Sequence, residues 1–266
     1  MLNAEELVAG EEAVIIDCRF VLGKPGAGRE HYLQGHIPGA HYLHLEDDLS
    51  GPVGRHGGRH PLPDPAVLAA RLASLGIGLE TPVIAYDDSR FAFAARFWWL
   101  LRALGYQPPR LLNGGYQAWV EAGGAVSTEV PRPEPCAQPA VVDYRGYCGI
   151  DDLPRLQAAG ATLLDSREPK RFAGEEEPID PVAGHIPGAL NVPWQRVSDD
   201  RGRLRDTAAL AEHFAALPAG SQRVVYCGSG VTACVNLYAL ATLGDREALL
   251  YPGSWSDWCS YLPLGD

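Results

Sequence analysis

The chain lacks the features that mark a membrane protein or a nucleic-acid-binding protein. Its 266 residues include 22 Lys or Arg against 33 Asp or Glu, which gives a formal net charge of −11. Such a deficit of positive charge argues against nucleic acid and anionic membrane surfaces as partners. No apolar run is long enough to span a bilayer, and no basic-then-apolar leader follows Met1. We therefore expect a cytoplasmic protein.

Paired cysteines are also lacking. The six cysteines show no Cys-x-x-Cys or other paired spacing; they are Cys18, Cys136, Cys148, Cys227, Cys234 and Cys259. Without a secretory leader, this pattern predicts free thiols rather than disulfides, and it gives no zinc site. We expect neither a bound metal nor a cofactor.

What the sequence does contain is a duplication. Residues 35–40 and residues 184–189 both read Gly-His-Ile-Pro-Gly-Ala. Three flanking pairs match in the same order: 14–19 with 162–167, 84–87 with 224–227, and 114–119 with 253–258. Four matches in one order indicate a duplicated domain rather than a short-period repeat. The second copy has Cys227 where the first has Asp87, so only the second carries a nucleophile at this position.

Each copy alternates short apolar strands with helical segments. This pattern predicts an α/β fold with two tandem domains, each a mostly parallel sheet flanked by helices. The predicted strands are 14–17, 41–43, 83–86, 110–112, 162–165, 190–192, 224–226 and 248–251. The predicted helices are 65–75, 91–104, 116–121, 207–217, 231–243 and 254–259. Clustered prolines predict a linker at 128–140 between domains 1–127 and 141–266.

The loop that begins at Cys227 is the strongest functional signal. The five residues that follow it are Gly228, Ser229, Gly230, Val231 and Thr232, the last two of which open the predicted helix. A tight strand-to-helix turn of this kind points backbone N–H groups into one concavity, at the positive end of the helix dipole. Such a concavity stabilises a thiolate, and it could hold a second sulfur or an oxyanion attached to Cys227. The alternative is a buried structural cysteine.

These motifs carry a family resemblance. The two-copy layout, the Asp-x-Arg strand ends, the repeated Gly-His-Ile-Pro-Gly-Ala and the loop at 227–233 resemble the tandem rhodanese-type sulfurtransferases. The loop is most similar to that of the 3-mercaptopyruvate sulfurtransferase branch, and the resemblance covers nearly the whole chain. It implies a non-catalytic first and a catalytic second rhodanese-like domain. A small-molecule donor would load a persulfide on Cys227, and a thiol, cyanide or thioredoxin-like acceptor would remove the sulfur.

The resemblance also implies roles for individual residues. Cys227 would be the nucleophile, and the five loop residues after it would bind the transferred sulfur. Arg171 matches the family arginine that binds the donor's carboxylate or sulfonate, a task that suits a bidentate guanidinium. Ser229, His60 and Glu46 match the serine, histidine and acid that transfer a proton in the mercaptopyruvate branch, with Glu in place of the usual Asp.

Two departures leave the sulfur donor open. Asp180 occupies the position of a second family arginine downstream of Arg171, as in the thiosulfate branch. An acid there cannot bind a carboxylate, and the acidic run 175–177 is expected to repel one. The neutral Gly228 and Ser229, in contrast, favour the mercaptopyruvate branch. We expect 3-mercaptopyruvate to be the better donor and to bind weakly, with thiosulfate as the alternative.

Two other functions would also use a cysteine in such a loop. A cysteine phosphatase needs an arginine where this chain has Ala233, which argues against that class. A non-enzymatic persulfide carrier stays open. The aperiodic loop 48–63 is long enough to be functional. Residues repeated in the copy without a nucleophile are expected to be structural; they are His36, His185, Asp17, Arg19, Asp165 and Arg167.

Overall fold

The computed structural model describes residues 1–10, 12–140 and 142–263, and the chain divides into two compact units. Unit 1 comprises Met1–Gly51, Pro63–Arg145 and Asp200–Leu204. Unit 2 comprises Pro52–Leu62, Gly146–Asp199 and the described residues from Arg205 onward. The segment Pro52–Leu62 therefore belongs to unit 2, although it lies within the first copy along the chain.

Unit 1 contains a parallel sheet with the strand order β2-β1-β3-β4. Its strands are β1 (Val14–Asp17), β2 (His41–Tyr42), β3 (Val83–Tyr86) and β4 (Arg110–Leu111). Its helices are α1 (Ala4–Val8), α2 (Pro25–Gln34), α3 (Pro65–Ser74), α4 (Ala94–Ala103) and α5 (Gly115–Glu121). The central pair β1 and β3 is in register from Val14–Val83 to Asp17–Tyr86. All of β3 is buried, as expected for a strand covered on both faces.

Unit 2 repeats this topology with the strand order β6-β5-β7-β8. Its strands are β5 (Thr162–Asp165), β6 (Leu190–Asn191), β7 (Arg223–Tyr226) and β8 (Leu249–Leu250). Its helices are α6 (Leu153–Ala158), α7 (Pro169–Ala173), α8 (Thr207–His213), α9 (Ala233–Thr242) and α10 (Ser254–Trp258). Short 3₁₀ turns lie at Ile150–Asp152, Trp194–Val197 and Cys259–Tyr261. Among the residues described, each helix is too short or too polar to cross a bilayer.

The predicted fold class is confirmed, and all eight predicted strands are present, each with ends within one residue of those predicted. Four helices were not predicted: α1, α2, α6 and α7. The predicted helices 91–104 and 231–243 begin later than expected, at Ala94 and Ala233. The preceding residues form the loops after β3 and β7 instead, and in the loop after β3 the N–H groups of Phe91 and Phe93 donate to Asp87.

Equivalent ion pairs lie at the ends of β1 and β5. Arg19 contacts Asp17 at 2.6 Å, and Arg167 contacts Asp165 at 2.6 Å, all four side chains being buried. Each arginine also donates to the carbonyl that opens the repeated Gly-His-Ile-Pro-Gly turn of its own unit, at 2.7 Å and 2.6 Å. These contacts occur in both units, as expected for residues with a structural role, and that role stays a prediction.

Candidate active site

Cys227 lies directly after β7, at the carboxyl end of a central strand, where parallel sheets form their ligand sites. Its side chain is buried. Its N–H donates to the Ser254 hydroxyl at 3.1 Å, and its carbonyl accepts from the Trp255 N–H at 3.0 Å. The loop then returns through Gly230, which has a φ of +73° and approaches the Pro252 carbonyl too closely for any side chain. The backbone around Cys227 is therefore fixed on both sides.

Unit 1 shows what this loop conformation does. The buried carboxylate of Asp87, which follows β3 as Cys227 follows β7, accepts four backbone N–H bonds of 2.8–3.1 Å. Burial raises the pKa of this carboxyl, and the backbone N–H bonds oppose that effect. The donors are Ser89, Phe91, Phe93 and Ala94. The equivalent positions in unit 2 are Ser229, Val231, Ala233 and Cys234. The Cys234 N–H donates to the Val231 carbonyl at 3.1 Å. We therefore expect the N–H groups of Ser229, Val231 and Ala233 to converge on the sulfur of Cys227.

Two arginines of unit 2 lie against the residue after the cysteine. A Cβ atom built on Gly228 would lie 3.0 Å from Nη2 of Arg59 and 3.5 Å from Nη1 of Arg171. Arg171 is on α7, and Arg59 is on the segment Pro52–Leu62. Burial lowers the pKa of Arg59, a thiolate at Cys227 raises it, and the charge of Arg171 lowers it. The two guanidinium groups therefore lie close to the residue that follows the thiol.

The acids near these arginines hold them in place. Nη2 of Arg171 donates to Glu177 at 2.7 Å and to Asp180 at 3.1 Å. Asp180 also forms an ion pair with Arg59. The side chains of Glu177 and Asp180 are 4% and 2% exposed, and both acids are neutralised by the arginines that they contact. The expectation that the acidic run repels an anionic donor is therefore wrong for Glu177.

His60 and Ser229, two of the predicted proton-transfer residues, lie together. Nδ1 of His60 is 2.8 Å from the Ser229 hydroxyl, and both residues are buried. The segment that carries His60 is fastened to α10. The Gly57 N–H donates to the Asp257 carboxylate at 2.7 Å. The Arg59 N–H donates to the hydroxyl of Ser256, on the same helix, at 3.1 Å.

The remaining predicted acid belongs to the other unit. Glu46 lies in unit 1, exposed, in the turn that follows β2. Its role in proton transfer stays a prediction. Sequence reasoning missed Arg59, although this residue directly precedes His60 in the loop 48–63 that was expected to be functional. No group of three or more His, Cys, Asp or Glu side chains within the described ranges could hold a metal ion.

Comparison with known proteins agrees with this geometry. Residues 3–122 and 150–261 match the model of the rhodanese-like domain. The chain belongs to the rhodanese family. The family and the two-copy architecture predicted from the sequence are thereby confirmed.

The relatives of this rhodanese chain differ in the donor that they are named for. It is 45% identical to the "Probable 3-mercaptopyruvate sulfurtransferase" of Pseudomonas aeruginosa, over 97% of this chain and 94% of the relative. It is 43% identical to the "Putative thiosulfate sulfurtransferase SseB" of Mycobacterium tuberculosis, over 98% of this chain and 94% of the relative. A crystal structure of the 3-mercaptopyruvate sulfotransferase of Escherichia coli superposes with a TM-score of 0.83 at 32% identity, over 96% and 98% of the chains. The rhodanese-family chain is a sulfurtransferase, and the prediction that it is an enzyme is confirmed.

Proposed function

We propose that the chain transfers the sulfur of 3-mercaptopyruvate to Cys227 as a persulfide. The observation that carries this proposal is the 2.8 Å hydrogen bond between His60 and Ser229. Ser229 lies two residues after Cys227 along the chain. When 3-mercaptopyruvate loses its sulfur, the remaining pyruvate carbanion must be protonated on carbon. Sulfite leaving from thiosulfate needs no such proton. A buried hydroxyl paired with an imidazole is suited to this transfer.

The first half of the reaction forms one sulfur–sulfur bond. The Cys227 thiolate attacks the sulfur of 3-mercaptopyruvate, and the carbon–sulfur bond breaks with its electrons passing to the pyruvate enolate. The proton of the substrate thiol passes through the Ser229 hydroxyl and His60 to the methylene carbon, which gives pyruvate. The products are pyruvate and an anionic Cys227 persulfide, so atoms and charge balance.

The second half returns the enzyme to its starting state. The thiolate of a small thiol or a thioredoxin-like protein, or cyanide, attacks the outer sulfur of the persulfide. The sulfur–sulfur bond breaks, and Cys227 leaves as a thiolate. The acceptor carries away the sulfur as a persulfide, or as thiocyanate when it is cyanide.

The loop and Arg171 would stabilise charge during these steps. Within the loop Gly228 to Thr232, the backbone N–H groups of Ser229 and Val231 would donate to the transferred sulfur, as the equivalent Ser89 and Phe91 donate to Asp87 in unit 1. Such preorganised donors are usually the largest contribution to stabilising developing negative charge. Arg171 would bind the substrate carboxylate through its remaining donors. The role of Glu46 as the acid of the proton-transfer group rests on the resemblance alone, and a cytoplasmic location rests on the sequence pattern alone.

Thiosulfate is the second candidate donor. Arg59 and Arg171 bring two guanidinium groups to Gly228, next to the sulfur-accepting thiol, and the sulfonate end of thiosulfate suits such a pair. A relative at 43% identity is named for this donor. The same two arginines also suit a carboxylate, so the proton-transfer pair is the feature that distinguishes the two candidates.

Steady-state kinetics with both donors tests the proposal. We expect kcat/KM to be higher for 3-mercaptopyruvate than for thiosulfate, with cyanide as the common acceptor and thiocyanate as the measured product. Ser229→Ala should lower this preference. A higher kcat/KM for thiosulfate that Ser229→Ala leaves unchanged would contradict the proposed donor and favour the second candidate.

A further inference from the structure

We propose that Arg59 is the second anion-binding residue of the sulfur-donor site, and that Asp180 holds it there. This inference rests on the proposed function, because it concerns the carboxylate or sulfonate end of the donor. In the sequence, Asp180 occupies the position of the second family arginine. The structure brings Arg59 from the segment Pro52–Leu62 to the same place in unit 2.

The first argument is position. Nη2 of Arg59 would lie 3.0 Å from a Cβ atom on Gly228, closer than either terminal nitrogen of Arg171, at 3.5 and 3.6 Å. Both guanidinium groups therefore lie against one residue, directly after Cys227. An anionic group that bridges the two arginines would place the rest of a small donor within reach of the thiol.

The second argument is the use of hydrogen-bond donors. Nη1 of Arg59 is used by Asp180, but its buried Nε has no hydrogen-bond partner among the described residues. Leaving a buried donor of a charged group without an acceptor is unfavourable, and a bound carboxylate or sulfonate would satisfy it. Arg171 has its Nε and Nη2 on acids, which leaves Nη1, 3.5 Å from the same Cβ position.

The third argument is that the backbone of Arg59 is already fixed without a donor. The Gly57 N–H donates to Asp257 at 2.7 Å, and the Arg59 N–H donates to Ser256 at 3.1 Å. Between them, Gly58 has a φ of +82° and packs against a backbone carbonyl with no room for a Cβ atom. A residue held in this way loses little conformational freedom when it binds a ligand.

Asp180 sets the separation of the two arginines. Its Oδ1 contacts Arg59 and its Oδ2 contacts Arg171, and its side chain is 2% exposed. With Glu177 also on Arg171, the two cations are matched by two anions. Binding of a donor anion would therefore depend on directed hydrogen bonds from the two arginines rather than on a net positive charge.

The test compares three variants with matched positions. Arg59→Met removes the charge and keeps the length of the side chain, and Arg59→Gln also keeps a donor for Asp180. Arg55→Met is the control, because Arg55 is an exposed arginine of the same segment. Losing one charge-assisted contact should raise KM by roughly 10- to 150-fold for 3-mercaptopyruvate and for thiosulfate. The kcat should stay within a few-fold, since the anion is held alike in ground and transition states.

A binding measurement separates this inference from the proposed function. In the Cys227→Ser background, calorimetry with thiosulfate and with 3-mercaptopyruvate should show weaker binding when Arg59→Met is added and unchanged binding when Arg55→Met is added. If wild-type enzyme forms no persulfide from 3-mercaptopyruvate, the proposed donor fails, and the thiosulfate titration still decides the role of Arg59. Unchanged KM and Kd for both donors in Arg59→Met, or a loss confined to kcat, overturns the inference. If Arg59→Met does not fold, Arg59→Gln decides by the same criteria.

Discussion

Asp180 and Arg59 form an ion pair inside unit 2, although 121 positions of the chain separate them. From the sequence, Asp180 is an acid in place of a family arginine, and therefore a defect in the donor site. In the structure, this acid contacts an arginine from another part of the chain. The pair brings a second guanidinium group to the donor site from another segment, with its charge matched by the Asp180 carboxylate.

This finding reverses the expected effect of restoring the family arginine. Asp180→Arg should raise KM for 3-mercaptopyruvate, because it breaks the contacts of Arg59 and Arg171 and buries a third positive charge beside them. Breaking a buried ion pair by removing one partner should lower the free energy of unfolding by about 3 kcal/mol. Urea unfolding and steady-state kinetics measure the two effects.

The double variant Arg59→Asp with Asp180→Arg is the control for that substitution. It restores one pair with the charges exchanged, so its unfolding free energy should lie between those of the wild type and the single variant. A single Asp180→Arg variant with a lower KM than wild type would show that Asp180 does hinder the donor, as the sequence alone suggests.

Cys227→Ser should abolish persulfide formation and turnover, because a hydroxyl at this position is a far weaker nucleophile than a thiolate. Intact-protein mass spectrometry after donor treatment should show one added sulfur on the wild type and none on the variant. Cys136→Ser is the matched control, since Cys136 is an exposed free cysteine of unit 1. Added sulfur on Cys227→Ser but not on Cys136→Ser would identify Cys136 as the nucleophile instead.

Ser229→Ala should lower kcat for 3-mercaptopyruvate by about 100-fold, the lower end of what general acid catalysis contributes. The hydroxyl that His60 contacts at 2.8 Å is removed, while the backbone N–H of residue 229 stays. Turnover of thiosulfate should change only a few-fold. Equal losses with both donors would assign the hydroxyl to binding the persulfide rather than to protonating the enolate.

Asp87→Asn should leave turnover within a few-fold of wild type and lower stability. An amide nitrogen in place of one carboxylate oxygen would face backbone N–H groups, either those of Ser89 and Phe91 or those of Phe93 and Ala94. Unsatisfied buried donors should lower the free energy of unfolding by about 1–3 kcal/mol. Thermal unfolding and steady-state kinetics, run on the same preparation, measure both. A loss of turnover equal to that of Cys227→Ser would give unit 1 a chemical role.

The sequence by itself determined the duplicated α/β architecture, the strands and the loop of Cys227. These features are local: apolar runs define the strands, and the order of repeated motifs reveals the second copy. The start of α9 at Ala233 rather than at residue 231 was not predictable in this way. The loop N–H groups prefer an anionic side chain over a helix ladder, as Asp87 shows in unit 1, and a hydrophobic period does not record that competition.

Only the tertiary structure decided the composition of the site. Arg59 and His60 lie far from Cys227 along the chain, and they reach it because the segment Pro52–Leu62 packs within unit 2. Alignment with the family compares residues one position at a time, and at position 180 it shows only that the second family arginine is replaced by an acid. Ion pairs form between side chains that are close in space, so the sign of the charge at a site depends on every segment that reaches it. The order of residues along the chain does not show which of these charges meet at one site.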